Sequence, residues 1–245
     1  MMRLTVSGLS KRYGGLTVLR DIDVSVRTGE MRLIIGPNGA GKTTFLRTLM
    51  GFVRADAGTI TFDGARVDAL PPHHRRRRGM VLVWQTPQPV QELTVEENVL
   101  LGGTPNLGVF RSLLLHTYGD ASRAAARDAL ARVGLSERAT RAARDLSHAD
   151  RKLLEIGCGL VNHPKLLLLD EPTAGLSESE AVRIGDLLLS LVPRPTMLIV
   201  AHDIAFARRL NAPVMFLHEG RVLREGPIKT LEADPVVRDA YFGNS

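Results

Sequence analysis

The stretch GPNGAGKTT, residues 36–44, constrains this 245-residue chain more than any other part of it. It fits the pattern G-x-x-x-x-G-K-[ST] and lies between the apolar run MRLII and the helix-like run KTTFLRTLM. Glycines allow successive backbone N–H groups to turn towards phosphate oxygens, and the first turn of the following helix favours negative charge. The pattern therefore predicts a phosphate-binding loop. Its residues are Gly36, Pro37, Asn38, Gly39, Ala40, Gly41, Lys42, Thr43 and Thr44.

Two side chains of this loop and two acids further along the chain have the chemistry of a nucleotide site. Lys42 is expected to reach the outer phosphates, and the Thr43 hydroxyl is expected to ligate Mg²⁺. The run KLLLLDE at 165–171 ends in Asp170 and Glu171, and such a strand delivers carboxylates to the ligand-binding edge of an α/β sheet. Acids at a strand end are often solvated turn residues. The loop upstream favours Asp170 as the residue that orients Mg²⁺ and Glu171 as the one that polarises water.

Three more residues are candidates on weaker grounds. His202 follows the apolar run MLIVA, and Gln85 closes the run GMVLVWQ. A lone histidine is more often structural than catalytic, but this one ends a strand at the same edge, which favours contact with the γ-phosphate. The Gln85 amide could reach Mg²⁺ or the attacking water. The Tyr13 ring could stack on adenine or fill the edge of a sheet, and composition does not decide between the two.

Hydrophobic patterning predicts the fold. The first third alternates apolar and polar residues, as half-buried strands do, and GTITFDGARV predicts a hairpin through Asp63-Gly64. Residues 86–163 have helical periodicity, and after them solid apolar strands alternate with helices, which is typical of a parallel sheet covered on both faces. We therefore expect one domain over 1–245, with an α/β core at 1–85 and 164–245 and a helical insertion at 86–163.

The composition restricts the binding partners and the cellular compartment that we expect for this chain. The net charge of +6 comes from arginine, most densely in HHRRRRG at 73–79, which could bind nucleic acid, anionic lipid or polyphosphate. A solvated helix face is the more common explanation of such a run, and we favour it. The single cysteine, Cys158, cannot form a disulfide framework, which favours a reducing compartment. The longest apolar runs fall far short of the roughly 18 residues that span a bilayer.

Taken in order, these motifs resemble those of the ATP-binding subunit of ABC transporters, along essentially the whole chain. The family's A-loop, Walker A, Q-loop, signature, Walker B, D-loop and switch histidine are matched, in this order, by Tyr13, GPNGAGKTT, Gln85, LSHAD at 146–150, LLLLDEP, AGLS at 174–177 and His202. The resemblance implies an α/β fold: a P-loop NTPase (ABC ATPase) core with an antiparallel β-subdomain and an inserted helical subdomain. It also implies ATP as substrate and Mg²⁺ as cofactor.

The resemblance assigns roles to individual residues. It implies that Glu171 is the general base, and that Gln85 and His202 position the water and the γ-phosphate. Thr43, Gln85 and Asp170 would hold Mg²⁺, directly or through water. In the family, the signature serine and nearby backbone N–H groups grip ATP bound to the opposite subunit, so Ser147 and Ala149 would serve a partner's nucleotide. Such an ATPase dimerises around two ATP.

The signature departs from the family's LSGGQ, and the departures raise a question. Ala149 replaces a glycine, which would cost roughly 1–2 kcal/mol if its φ were positive and little otherwise. A carboxylate at Asp150 would repel phosphate if it faced the nucleotide. Ser147 and Asp150 also have capping-box spacing. We expect the Asp150 carboxylate to turn away, towards Arg151 or Lys152 or as a helix cap, so that the signature still works.

Further sequence details suggest a branch and its partners. LTVEENVLLGG, RKLLEIGCGL and HEGRVLREGP are similar to subunits of branched-chain amino acid and urea importers, and the histidine in LSH leans towards the urea type. The resemblance implies a homodimer, or a heterodimer with a second ABC ATPase. It also implies a transmembrane permease, an indirect link to a solute-binding protein, no nucleic acid, and a peripheral position on the cytoplasmic face of the cell membrane. The alternatives are a soluble ABC-type ATPase that acts on nucleic acid and a catalytically weak regulatory subunit.

Overall fold

The computed structural model describes residues 1–103 and 119–242, so residues 104–118 of the predicted helical insertion lie outside the described part. The strands are β1 (Met2–Tyr13), β2 (Leu16–Arg27), β3 (Met31–Ile35), β4 (Ala57–Phe62), β5 (Ala65–Arg66), β6 (Met80–Val83), β7 (Leu166–Asp170), β8 (Thr196–Val200), β9 (Pro213–His218) and β10 (Arg221–Pro227). The helices are α1 (Lys42–Met50), α2 (Pro72–Arg77), α3 (Val95–Gly103), α4 (Asp120–Val133), α5 (His148–Leu160), α6 (Glu178–Ser190), α7 (Ile204–Leu210), α8 (Ile228–Ala233) and α9 (Pro235–Phe242).

The first sheet is antiparallel, with strand order β2-β1-β4-β5. Its buried positions alternate with exposed ones, as the sequence pattern predicts, and Leu4, Val6 and Ile60 face the core. The predicted hairpin through Asp63-Gly64 is confirmed. Phe62 pairs with Ala65, and the two turn residues have φ of 49° and 77°, which a two-residue turn of the I′ type requires.

The second sheet carries the functional edge. Its order is β10-β9-β3-β8-β7-β6, in which β6, β7, β8, β3 and β9 are parallel and β10 runs antiparallel to β9. The four leucines of β7 divide between two cores: Leu167 and Leu169 belong to one hydrophobic cluster, Leu166 and Leu168 to the other. Both faces of the sheet are therefore covered, and the acids that follow the leucines reach its open carboxyl edge.

Between β6 and β7, the described chain is helical. Helices α3, α4 and α5 pack against one another and bury Val99, Leu130 and Leu154. A capping box begins α3: the Thr94 N–H donates to the Glu97 carboxylate, and the Glu97 N–H donates to the Thr94 hydroxyl. No helix within residues 1–103 and 119–242 is long and apolar enough to cross a membrane.

The solvated-face interpretation of the arginine run is wrong for one residue. The run forms α2, and His73 and His74 are exposed, but Arg75 is only 2% exposed. Its guanidinium donates to Thr48 O and Leu49 O at the carboxyl end of α1, both at 2.8 Å, as well as to two further carbonyls. A cation is favourable there because the last carbonyls of a helix lack partners and carry partial negative charge. Burial nevertheless lowers the pKa of Arg75.

Candidate functional site

The loop after β3 is held tightly against its surroundings. A methyl group on Gly36 would lie 1.9 Å from Leu217 O, so only glycine fits there. Gly41 has φ of 101° and lies against Val18, which also restricts the position to glycine. The Gly220 N–H donates to Ala40 O at 3.1 Å, which ties the loop to the β9–β10 turn. The loop is therefore formed in advance of any ligand.

Lys42 begins α1 and turns back over the loop. Its ammonium donates to Gly36 O at 2.7 Å and to Pro37 O at 3.0 Å. Burial lowers the pKa of Lys42, and the carboxylates of Glu171 and Asp170 oppose that shift. An ammonium held by two neutral carbonyls gains more from an anion, because Coulomb attraction between opposite charges then adds to the hydrogen bond. The arrangement is thus suited to exchange a carbonyl for a phosphate oxygen.

The Thr43 hydroxyl donates to Asp170 Oδ1 at 3.3 Å, which joins the loop to the end of β7. Asp170 is 3% exposed, and burial raises the pKa of its carboxyl group, against the hydrogen bond from Thr43. No group of three His, Cys, Asp or Glu side chains with metal-binding geometry occurs among the described residues. The donor set at this point is one hydroxyl and one carboxylate, both hard oxygen ligands.

Glu171, Gln85 and His202 meet beside the loop. Glu171 is the first residue after β7, Gln85 lies two residues after β6, and His202 lies two residues after β8. Gln85 Nε2 donates to Glu171 Oε2 at 2.7 Å, and His202 Nε2 is 3.9 Å from the same oxygen. Glu171 has φ of 47°, an unfavourable value for a residue with a side chain, and its N–H donates to Val200 O. The predicted strand GMVLVWQ is too long, because β6 ends at Val83.

A cleft of about 270 Å³ opens over the loop, lined by residues 38–44, Val18 and Glu171. Tyr13 is at the end of β1, pairs with Leu16 across the hairpin and is 49% exposed, so it does not fill the edge of the sheet. The Lys11 ammonium lies 5.3 Å from the centre of its ring. An exposed aromatic ring is suited to stack on a planar ligand, although Tyr13 is not among the residues that line the cleft.

The signature residues begin α5. Ser147 is the N-cap, and its hydroxyl oxygen accepts the Asp150 N–H at 3.1 Å, which leaves the hydroxyl proton available for donation. Ala149 has no positive φ, so the strain considered above does not arise. The first N–H groups of a helix lack intrahelical partners and favour an anion. Ser147 and His148 are exposed, so this helix end faces outwards.

The Asp150 carboxylate turns away from that helix end, as expected, but its predicted partners are wrong. It accepts from Arg138 at 3.4 Å and from Arg183 at 3.3 Å, and not from Arg151 or Lys152. The predicted capping box is therefore one-sided: only the Asp150 N–H contributes. The two arginines come from other parts of the chain, so local spacing gave no sign of them.

Sequence reasoning missed two residues next to the site. The Lys152 ammonium on α5 donates to Gln85 O, and burial lowers the pKa of Lys152 against the opposing effect of Glu155. The Tyr241 hydroxyl on α9 donates to His202 O. Lys152 could have been flagged, because it lies on the buried stripe of an amphipathic helix. Nothing local marks Tyr241.

With this geometry established, comparison with known proteins shows the family. Residues 19–174, more than half of the chain, match the ABC transporter family. The chain belongs to this family. The matched residues include the strand, loop and helix at 31–50 as well as α5 and β7.

Named relatives match the chain from end to end. The high-affinity branched-chain amino acid transport ATP-binding protein LivG of Salmonella typhimurium is 34% identical over 250 residues, covering 99% of this chain and 98% of that protein. The corresponding protein BraF of Pseudomonas aeruginosa is 31% identical, with the same coverage. The probable LivG of Methanocaldococcus jannaschii is 32% identical over 98% of this chain and 97% of its own.

Solved structures show the same fold. A nucleotide-free ATP-binding cassette from an ABC transporter has a TM-score of 0.89 at 32% identity, covering 99% of this chain and all of that one. The ADP conformation of such a cassette has a TM-score of 0.89 at 32% identity, covering 99% of each chain. A dimeric post-hydrolysis cassette bound to ADP and Pi has a TM-score of 0.76 at 26% identity, covering 92% of this chain and 98% of that one. The chain is an ABC-type ATPase that binds nucleotide.

Proposed function

We propose that this chain hydrolyses ATP to power solute import through a separate membrane permease, with a branched-chain amino acid as the solute. The observation that carries the ATPase part is the meeting of Gln85, Glu171 and His202 at the cleft over residues 36–44. The importer part rests on full-length similarity to LivG and BraF. Urea is the second candidate, because of His148 in the signature, and none of the relatives above is described as a urea transporter.

In the proposed mechanism, the loop N–H groups and Lys42 bind the β- and γ-phosphates of ATP. Glu171 accepts the proton of the attacking water, and Gln85 holds that carboxylate through Oε2. His202 donates to the γ-phosphate. Its Nε2 is 3.9 Å from the same carboxylate oxygen, so the base and the phosphate contact are neighbours. Tyr13 stacks on the adenine.

Mg²⁺ fits the donor set that the chain presents. Thr43 and Asp170 would hold it, with Gln85 as a further candidate ligand. The nucleotide would supply further oxygens, since Mg²⁺ is usually bound by one or two protein ligands together with phosphates and water. When bound, the ion neutralises charge on the phosphates. The buried position of Asp170 makes its charge costly without a cation, which is consistent with a metal role.

We propose that the site is completed by a second cassette. The outward-facing start of α5, with Ser147 and the Ala149 N–H, would contact the γ-phosphate held by the partner, and the ion pairs that turn Asp150 away remove the repulsion from its carboxylate. This argues against a weak regulatory subunit. The structure of a dimeric cassette with ADP and Pi in a related protein supports the assembly. Both a homodimer and a heterodimer satisfy this geometry.

The permease would dock beside Trp84, where a cavity of about 380 Å³ lies between α1, α2 and α5. Phe52 is 52% exposed, and its ring centroid is 5.1 Å from that of Trp84. We place the permease contact here and on the segment after Gln85. It follows that the chain is peripheral to the cytoplasmic face of the membrane, linked through the permease to a solute-binding protein. We also propose the division into a core (1–85 and 164–245) and a helical subdomain (86–163).

The ATPase assignment is tested with Glu171→Gln. ATP affinity should stay within about threefold, and turnover should fall by about 100-fold or more, as expected for loss of a general base. Glu137→Gln changes an exposed glutamate that does not line the cleft, so it is the matched control and should leave ATP affinity and turnover unchanged. An active Glu171→Gln protein would refute the base assignment. Solute identity is tested in proteoliposomes with the permease and the binding protein: leucine, and not urea, should stimulate ATP turnover.

A further inference from the structure

A second cavity, of about 180 Å³, lies at the opposite end of the parallel sheet from the nucleotide cleft. Its walls come from the amino-terminal ends of β3, β7 and β8, from β1, and from the end of α4. Strands of five residues separate the two ends, so the cavity is roughly 16 Å from the loop at 36–44. It therefore belongs neither to the nucleotide site nor to the surface beside Trp84.

The titratable side chains in the wall of this cavity are all basic. They are Arg3, Arg132, His163, Lys165 and Arg194. Among the residues that the structure describes, no aspartate or glutamate lines it. The cavity is open to solvent on one side, and a cluster of cations around it raises the local positive potential.

Charge compensation is incomplete. Asp63 pairs with Arg3 and, at 3.0 Å, with Lys165, so one carboxylate serves two cations. In the described part of the chain, neither Arg132 nor Arg194 forms an ion pair, and Arg194 donates only to a backbone carbonyl, Leu189 O at 2.7 Å. The cavity thus keeps an excess of positive charge with no counter-ion of its own.

Two hydrogen-bond donors at this cavity are buried without an acceptor. They are Arg3 Nε and Arg132 Nε, two of the five side-chain atoms in this condition among the described residues. A buried donor that lacks an acceptor destabilises the fold, and a charged donor does so more. These two Nε atoms are shielded from the cavity itself, but the guanidinium groups that carry them come from different elements and both line it. Together they are suited to a ligand that offers several acceptor oxygens and negative charge.

We propose that this cavity binds a small phosphate-bearing anion, at a site separate from the nucleotide cleft. Arg132 belongs to the helical part of the chain, Arg3 to the antiparallel sheet and Lys165 to the start of β7. A bound anion bridges the three parts, and its occupancy biases how the helical part sits on the core. Phosphate oxygens match the fork of the guanidinium group better than chloride does.

The test uses the full chain with its nucleotide cleft saturated by Mg·ADP, and a variant of the cavity separates phosphate binding there from binding at the γ-phosphate position that ADP leaves open. Pyrophosphate is titrated against chloride at equal ionic strength, and binding is followed by calorimetry and by the shift in melting temperature. The variant Arg132→Gln/Arg194→Gln removes the two unpaired guanidinium groups. The control Arg54→Gln/Arg221→Gln removes the same charge from exposed positions outside the cavity.

We expect pyrophosphate to raise the melting temperature of the ADP-loaded protein and of the control variant. The cavity variant should bind it about tenfold or more weakly, since each charge-assisted contact is worth at least about 1.5 kcal/mol. The stabilisation by Mg·ADP should persist in that variant, which shows that it folds and that the nucleotide site is intact. An equal response to chloride, or an unchanged affinity in the cavity variant, overturns the proposal. If a variant loses only the stabilisation by Mg·ADP and still binds pyrophosphate, the nucleotide site is affected and the basic cavity is not.

Discussion

Lys152 provides the sharpest test of how the signature helix is connected to the catalytic corner. Its ammonium is buried on α5 and donates to Gln85 O, while the side chain of Gln85 donates to Glu171. Beside it, Glu155 on the same helix accepts the Gln88 N–H. Lys152 is a positioning residue in this account: it acts on the carboxylate through Gln85.

We expect Lys152→Met to lower turnover with little loss of stability. A hydrogen bond from a charged group contributes about 1.5–3 kcal/mol. If all of it serves to position Gln85 in the transition state, kcat falls by about 10- to 150-fold, since 1.4 kcal/mol is a factor of ten. Burial lowers the pKa of Lys152, so the fold already disfavours the charge. Replacing it with an apolar chain of similar length should change the free energy of unfolding by about 1 kcal/mol or less.

The assay is steady-state ATP hydrolysis, with thermal unfolding measured on the same samples. KM for ATP should stay within about twofold, because Lys152 does not line the cleft over residues 38–44. Lys229→Met, at an exposed lysine on α8, is the matched control. Lys152→Arg keeps a donor and should recover part of the rate. Wild-type kcat in Lys152→Met, or a rate loss explained by unfolding, would refute the reasoning.

Three further predictions follow from single contacts. Tyr241→Phe should lower kcat about fivefold without changing KM for ATP, because a hydrogen bond worth about 1 kcal/mol to the His202 backbone is lost. Tyr241→Leu should also lower the melting temperature. A kcat equal to that of the wild type in the Phe variant would contradict this prediction. Arg75→Met should lower the free energy of unfolding by about 3 kcal/mol in urea titrations, since four carbonyls lose their donor, and Arg78→Met at an exposed position should not. Gly36→Ala should abolish binding of a fluorescent nucleotide, because the new methyl group meets Leu217 O. Gly39→Ala, where space is open, should lower the free energy of unfolding by only about 1–2 kcal/mol, because of its φ of 80°. Nucleotide binding by Gly36→Ala would show that the loop can shift.

Features written in consecutive residues could be predicted from the sequence. The loop at 36–44, the β7 strand that ends in Asp170, and the turn at Asp63-Gly64 each follow from a local pattern whose chemistry allows few alternatives. The order of the parallel strands then brings Gln85, Glu171 and His202 to one edge, which is why their proximity could be anticipated.

Contacts between distant parts of the chain could not be predicted. Arg75 was expected in solvent, but it is buried because the carboxyl end of α1 offers carbonyls that need a cation. Asp150 was expected to pair with its neighbours, but it pairs with Arg138 and Arg183. In both cases the side chain's chemistry was clear from the sequence and its partner was not, because the partner is fixed only when the elements pack.

The division of β7 between two hydrophobic clusters bears on how this protein can change over time. Leu167 and Leu169 face one interior and Leu166 and Leu168 the other, so all four leucine positions are closed to polar replacement. An edge strand such as β10 keeps exposed positions where substitutions are tolerated. Variation among descendants of this sequence should accordingly collect at the margins of the sheet, while the strand that carries the two acids stays almost fixed even at positions that never touch a ligand.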